Sequence, residues 1–422
     1  MFQKTRVNLS VDQRRIVWAV TFGNILEWFE VYSFAYFAPI IAKRFFNTED
    51  LMTGWIYAFL VFGAGFIARP FGSIIWGRFG DLIGRRKAFI SSILLMTIPT
   101  FFMGLIPTYA NVGVFAPIML LFLRLVQSIP AAAEAPGTIC FLYENASPGN
   151  RRYLTSWEAF GNQIGAILGV LEAFIFDSYL SAEFLAEWGW RLSFIIGGCI
   201  GLLGLYLRST LHETPVFQNL KKHHHIDRQL VRHLFSKFPK SILIGAGFGV
   251  VNAVTFYLLA AYLPSYLNLV LELSPGRNAA IVLFGLFLIT VLLPVFGMIA
   301  ERFDNRKMFA VAVFLVIIMA FPLYYGLQNK QIILLSTVGF VLIFPVACIT
   351  ALIPFQLAHM YPANIRFTGV GLSFSLADGI VGGFTPAIGL LLVMYTHNYG
   401  GIAWLIFVSG LISLYCSQNF KR

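Results

Sequence analysis

Charge is what this chain has least of. Asp, Glu, Lys and Arg supply 12% of its 422 residues, against about 25% in an ordinary globular protein. Hydrophobic residues reach 58% and the mean hydropathy is +0.77. A water-facing surface cannot be built from so little charge. No hydrophilic stretch is long enough for a separate domain, which excludes a sensor with an output module and an enzyme with a recognisable nucleophile or metal constellation. Cysteine is scarce as well: Cys140, Cys199, Cys348 and Cys416 are scattered through apolar segments without CxxC spacing. They read as small core residues, so no disulfide, metal or cofactor is expected. His223, His224 and His225 are adjacent in a basic connection and read as solvated linker. Acid is scarcer than base, 19 residues against 30, for a net charge of +11. The bases gather in the connections between apolar segments, which is the pattern of membrane topology and not of nucleic-acid binding.

Long apolar runs are what the chain has in abundance. A span needs about 20 mostly apolar residues to cross roughly 30 Å of hydrocarbon. Such runs occupy 16 to 41, 53 to 76, 88 to 106, 114 to 142, 154 to 176 and 190 to 209, then 239 to 269, 278 to 300, 308 to 327, 331 to 355, 367 to 394 and 400 to 417. The first follows Lys4, Arg6, Arg14 and Arg15 like a signal peptide, but it is too long, holds Glu27 and Glu30 and lacks a clear cleavage site, so it is expected to stay as a helix. The reading is an all-α polytopic membrane protein of twelve helices, six in a half at 1 to 209 and six in a half at 239 to 422. A polar linker at 210 to 238 joins the halves. Basic loops at 78 to 87, 151 to 152, 208 to 240 and 302 to 307 fall on the side of both termini, against Lys43, Arg44, Arg191, Arg277 and Lys330 opposite. The positive-inside rule makes the termini cytoplasmic.

The halves carry a faint repeat. GRFGDLIGRRK at 77 to 87 and GMIAERFDNRK at 297 to 307 lie 220 residues apart, each between the second and third helix of its half. Gly77 matches Gly297, Asp81 matches Glu301, and Arg86-Lys87 matches Arg306-Lys307, as expected of related halves.

The first of these loops resembles the signature loop of the major facilitator superfamily, in which an aspartate and basic residues latch the cytoplasmic side. Asp81, Arg85, Arg86 and Lys87 are the matching positions. GNILEWFEVYSF at 23 to 34, ARPFGSIIWGRFGDLIGRRK, RLVQ at 124 to 127, Glu144 followed by Arg151, MYPANIRFTGVGLSFS at 360 to 375 and GGFTPAIG at 382 to 389 are similar to the metabolite:proton symporter branch. That branch includes proline/betaine, α-ketoglutarate, citrate and shikimate transporters. The resemblance implies a proton-coupled importer in the inner (plasma) membrane of a bacterium, working as a monomer by alternating access on a small organic acid or zwitterion. It also implies a latch from Asp81, Arg85, Arg86 and Lys87, with a companion from Glu144 and Arg151. Three departures stand out. SIPAAAEAPGT from Ser128 to Thr138 replaces a glycine-rich stretch. Asp304-Asn305 stands where Gly-Arg is usual, so the second loop is expected to latch poorly. The sequence stops at Arg422 without a long coiled-coil extension, so osmotic activation is not expected.

Ionisable groups at membrane depth are costly and therefore functional candidates. Glu27 and Glu30 lie 11 and 14 residues into the first span, near the midplane at about 16 and 21 Å. Their i, i+3 spacing puts them on one face, where repulsion favours a proton on one of them. Arg124 lies at similar depth in the fourth span and is expected either to pair with Glu27 or Glu30 or to be freed for a substrate anion when one is protonated. Glu134 between Pro130 and Pro136 is expected at a break in that helix, lining the pathway or hydrated near its mouth. Asp378 lies near mid-depth in the eleventh span, and Glu27, Glu30, Glu134 and Asp378 form the proton-coupling set. Asn24, Arg124, Gln127, Asn252 and Tyr257 are the substrate-binding set, with Tyr262 and Tyr266 offering further hydroxyls. Arg69 reads as snorkelling from its helix end. Gly161, Gly165 and Gly169 read as a close helix contact. The competing function is import or efflux of a larger ligand such as a siderophore or drug; the absence of proline from 154 to 176 favours import.

Overall fold

A computed structural model describes residues 10–48 and 50–419; Lys4, Arg6 and Arg422 lie outside the described residues. Among those residues there are twelve membrane helices and no strand. They are α1 (Val11–Phe45), α2 (Met52–Leu82), α3 (Arg85–Met103), α4 (Phe115–Asn145), α5 (Arg151–Tyr179), α6 (Ala182–Ser209), α7 (Pro239–Tyr257, continuing through Leu258–Tyr262 to Leu263–Leu269), α8 (Gly276–Ala300), α9 (Asn305–Gln328), α10 (Ile332–Met360), α11 (Arg366–Thr396) and α12 (Ile402–Gln418). Eleven are long and apolar enough to span by themselves; α12, at 17 residues, is the shorter apolar helix. Two short helices, Pro215–Lys222 and Leu230–Lys237, lie in the linker. Exposed Phe71, Phe284, Phe314 and Ile333 clothe the outside, as a lipid-facing surface requires.

The helices overrun the apolar runs, because a helix ends at its cap and not at the edge of the hydrocarbon. The stretch 77 to 87, expected as a loop, is helical except at Ile83 and Gly84, where Gly84 takes φ +134°, a conformation that excludes a side chain. In its counterpart, Asp304 caps α9 through the N–H groups of Arg306 and Lys307.

Four helices are broken where proline removes a backbone donor. α2 breaks at Ala68 before Pro70, and α4 breaks at Ala132 and Ala133 between Pro130 and Pro136, as the sequence suggested. Two breaks take the form of π-helical turns, which accommodate the proline ring by widening the preceding turn. One is Leu258–Tyr262 before Pro264 and the other Ser375–Gly382 before Pro386. These four irregularities surround the centre of the molecule.

α1 packs on α5 at backbone distance. A Cβ at Gly165 would stand 2.3 Å from the Ile25 carbonyl oxygen, and one at Gly169 2.7 Å from that of Phe29. The close-packing reading of this glycine series is borne out. The first six helices meet the last six mainly along α5 against α8 and α2 against α11.

Candidate functional site

The centre is organised by Arg69. Its Nη2 lies 2.7 Å from Glu27 Oε1 and its Nη1 3.8 Å from Asp378 Oδ2, and its guanidinium stacks 4.2 Å from the Phe66 ring. Tyr257 donates its hydroxyl to Asp378 at 3.3 Å. Arg69 is 5% exposed, so the snorkelling reading is wrong. Its cause is the misplaced end of α2, which runs to Leu82 and so carries Arg69 about 20 Å from the helix end. The break at Ala68 and the wide turns flanking Asp378 and Tyr257 allow α2, α7 and α11 to converge here. Glu27 and Asp378, which come from different sets of six helices, thus compete for one cation.

Beside this lies Arg124, which pairs directly with neither glutamate. Its Nη1 donates to Gln127 Oε1 at 3.0 Å. Gln127 in turn donates to Glu30 Oε2 and to Thr100 Oγ1, the latter at 2.7 Å. Nε and Nη2 of Arg124 are buried without a hydrogen-bond partner. The guanidinium is held between aromatic faces, 4.1 Å from the Phe34 ring and 5.8 and 5.7 Å from those of Phe62 and Phe194. Two donors of a buried cation are thus left unused, which costs free energy.

A third cluster contains a residue that sequence reading passed over. Asn24 donates to Asn162 Oδ1 at 2.9 Å and to Glu158 Oε1 at 3.4 Å, and accepts from Thr138 at 2.8 Å. Glu158, 2% exposed, borders a cavity between the helix sets together with Trp28, Asn162, Asn252, Phe256, Thr350, Phe374 and Asp378. Thr350 donates to Asn252 Oδ1 at 2.6 Å. The rule that selected Glu27, an acid inside an apolar run, would have selected Glu158 had it been applied to the fifth span. Two tyrosines fall away from the site: Tyr262 donates to the Tyr399 carbonyl at 3.2 Å and Tyr266 to that of Leu327 at 2.6 Å.

Glu134 opens the second segment of α4, but it neither lines the cavity nor meets water. It is fully buried against Arg208 Nη2 at 2.5 Å and accepts from Ser92 at 2.6 Å. Arg208, from the far end of α6, stacks 3.5 Å over Phe89 and occupies the space beneath Gly23. The expectation failed because sequence gives depth along a helix and not the neighbour that a side chain meets.

The face carrying the start of α1 and the end of α12 is closed by carboxylates that reach across the helix sets. Asp81 accepts from the backbone N–H groups of Phe367 and Thr368 at 3.2 and 2.9 Å and from the Thr368 hydroxyl at 2.7 Å, thereby capping α11. Arg85 joins it at 3.1 Å and also reaches Glu144 at 3.4 Å and the Ala363 carbonyl at 2.5 Å. The counterpart Glu301 caps α5, accepting from the N–H groups of Arg152 and Tyr153 at 2.6 and 3.1 Å, and pairs with the Arg152 side chain at 3.3 Å. The expected weakness of the second latch is therefore overturned, because its grip rests on Glu301 and helix N–H groups and not on the missing Gly-Arg. Gly77 and Gly297 serve the same approach: a Cβ would come 2.6 Å from Thr368 Cα at the first and 2.4 Å from Ser156 Oγ at the second.

The companion latch has a different basic partner. Glu144 pairs with Arg366 of α11 at 2.8 Å, whereas Arg151 lies 4.9 Å over the Tyr143 ring. Arg86 also leaves the gate: its side chain donates to Ser209 O at 2.7 Å and its backbone N–H faces Glu213 of the linker. Lys87 is exposed. Toward the opposite face, Trp28 meets Phe256 at 4.4 Å between ring centroids and Tyr257 meets Phe62 and Phe66 at 6.1 and 5.7 Å. Phe384 of α11 also covers Gly63 of α2. Aromatic contacts thus join the two helix sets beside the centre, and the carboxylate latches join them on the other side.

Twelve membrane helices surrounding an enclosed polar centre, with matched latches on one face, define a secondary transporter. The Major Facilitator Superfamily model matches residues 20–386. The chain is 31% identical to the proline/betaine transporter of Salmonella typhimurium, across 97% of this chain and 83% of that one. It is 32% identical to the citrate-proton symporter of Klebsiella pneumoniae, across 93% and 89%. The fold superposes on the proton:xylose symporter XylE bound to 6-bromo-6-deoxy-D-glucose with a TM-score of 0.78 at 15% identity, covering 97% of this chain and 95% of that one. The chain belongs to the major facilitator superfamily: it is a multi-pass inner-membrane transporter and not an enzyme.

Proposed function

We propose that the protein imports a small metabolite bearing a carboxylate and a cationic group, driven by protons. The observation that carries this reading is Arg124, a buried guanidinium whose Nε and Nη2 lack partners and which lines a cavity with Glu27, Glu30 and Arg69; Arg69 in turn pairs with Asp378, which borders a second cavity with Glu158. A substrate carboxylate would take the free donors of Arg124. Its cationic end would lie against Trp28, Glu158 and Asp378, where an aromatic face and carboxylates both favour positive charge. The enclosed, aromatic-lined centre favours a small solute over a siderophore.

Coupling follows from competition for the two arginines. Protonating Glu30 weakens its bond to Gln127 and loosens the hold on Arg124, while protonating Glu27 or Asp378 removes one of the two claimants on Arg69. Because Asp378 belongs to α11 and Glu27 to α1, that change alters the attraction between the helix sets. The halves 1 to 209 and 239 to 422 then rock around the centre while the latches break and form. With the latched face cytoplasmic, the membrane potential adds about 2.3 kcal/mol per charge per 100 mV to accumulation. The cycle needs one polypeptide, and we assign function to the monomer.

The test is uptake by proteoliposomes of labelled zwitterions, betaines and di- and tricarboxylates, with and without an inwardly directed proton gradient. Accumulation of a zwitterion only with the gradient is expected. Equal accumulation without it would overturn the proton-coupled reading.

A further inference from the structure

One buried acid has no part in this cycle. Glu172 lies in α5 seven residues before Tyr179, about 10 Å from the helix end on the face away from the latches. It is 9% exposed. Its Oε2 accepts from Ser33 Oγ of α1 at 2.9 Å and from Ser193 Oγ of α6 at 2.8 Å, and its Oε1 is buried without a partner. On this side the titratable and charged groups of the surrounding elements are Glu30, Tyr32, Tyr36, Lys43 and Arg44 of α1, Asp177 and Tyr179 of α5, Glu183, Glu187 and Arg191 at the start of α6, and Arg277 at the start of α8. None of them forms an ion pair with Glu172 among the described residues. A carboxyl held between two hydroxyls with no cation changes its charge only by gaining or losing a proton, and ionisable groups so placed in membranes mark proton routes.

The two serines also point the way to the centre. Ser33 stands one helical turn from Glu30 in α1, and Ser193 one turn from Gly197 in α6. Gly197 faces the same glutamate: a Cβ there would stand 3.2 Å from Glu30 Oε1. That oxygen is likewise buried without a hydrogen-bond partner. Glu172 and its two hydroxyls therefore stand one helical turn from the level of Glu30, whose side chain continues to Gln127 and, through it, to Arg124.

We propose that Glu172 is the proton-entry group on that face and passes its proton to Glu30 through the serine hydroxyls. Glu172 gives its O–H proton to Ser33 or Ser193 as that serine gives its own proton, directly or by way of water, to Glu30. Glu172 is left as a carboxylate, Glu30 becomes an acid, and Glu172 is recharged from its own face. Only O–H bonds form and break. The inference rests on the proton-coupled reading above.

The test compares wild type, Glu172→Gln and Glu172→Asp in proteoliposomes, measuring gradient-driven accumulation and substrate exchange without a gradient. The substrate is whichever one drives accumulation by the wild type. Glutamine still accepts from both serines, so the packing is kept. A positioned proton-transfer group contributes on the order of a hundredfold, so accumulation by Glu172→Gln should fall by that order, far more than exchange falls. Glu172→Asp should recover part of the loss, and the outside-pH profile of uptake should shift in both variants. If accumulation and exchange fall together, or neither falls, Glu172 only joins helices and the relay is refuted. If the wild type itself ignores the gradient, the proton-coupled reading fails, a result distinguishable from the first.

Discussion

The Asp81 latch makes a quantitative claim about conformation. Asp81, 1% exposed, accepts two backbone N–H groups and the Thr368 hydroxyl from the other set of helices. Asp81→Asn keeps the shape but loses the charge, and it turns an NH2 group toward donors that need an acceptor. Hydrogen bonds to charged groups contribute about 1.5–3 kcal/mol each, but on opening the freed groups find water. Because Glu144–Arg366 and Glu301–α5 remain, we expect a net loss of about 3 kcal/mol, roughly a 150-fold shift toward the form open on the latched face. Spin labels on cysteines introduced at Ile83 and Phe303, both exposed on that face and in different helix sets, report the opening as a longer distance by pulsed electron resonance. A distance distribution identical to that of the wild type would refute the reasoning, as would a variant that opens only when Glu301→Gln is added.

Three further outcomes follow from the centre and the packing. Glu27→Gln together with Glu30→Gln should abolish gradient-driven accumulation in proteoliposomes; unchanged accumulation would remove both from the coupling set. Arg124→Gln should raise KM by about a hundredfold or more for a carboxylate substrate, since it removes a charge-assisted pair contributing about 3 kcal/mol, and a titration of initial uptake rates reads this directly. Gly165→Val places a side chain against the Ile25 carbonyl. Overpacking costs about 1–3 kcal/mol or more, so the purified protein should show a lowered melting temperature in detergent.

The twelve helices were legible because each span had to be apolar along its length, and the latch position because GRFGDLIGRRK carries its own signature. The repeat proved informative beyond its four matched positions. Asp81 and Glu301 do the same thing in space, each capping the fifth helix of the other set. What stayed hidden was partner choice. Depth follows from counting residues, but the direction of a side chain around its helix depends on breaks and crossings that sequence does not number. Hence Arg124 was assigned to a glutamate that it meets only through Gln127, Glu134 to a cavity that it does not touch, and Glu144 to Arg151 instead of Arg366. Arg69 failed for another reason: setting the end of α2 six residues early moved a central cation to the rim. Glu158 and Glu172 were readable by the rule that found Glu27, since both interrupt the same apolar run.

α11 carries Thr368 of the latch and, ten residues on, Asp378 of the centre, about 15 Å away. Its wide turns at Ser375–Gly382 lie at the acid and not at the latch. The helix is thus regular where it is gripped and irregular where it is charged. A hinge in α11 would therefore turn about the acid and not about the capped end, so that on the proposed cycle the latch answers to a change at Asp378. Such a division would protect the cell from leak, since a carrier that opened on bending alone would dissipate the gradient that drives it.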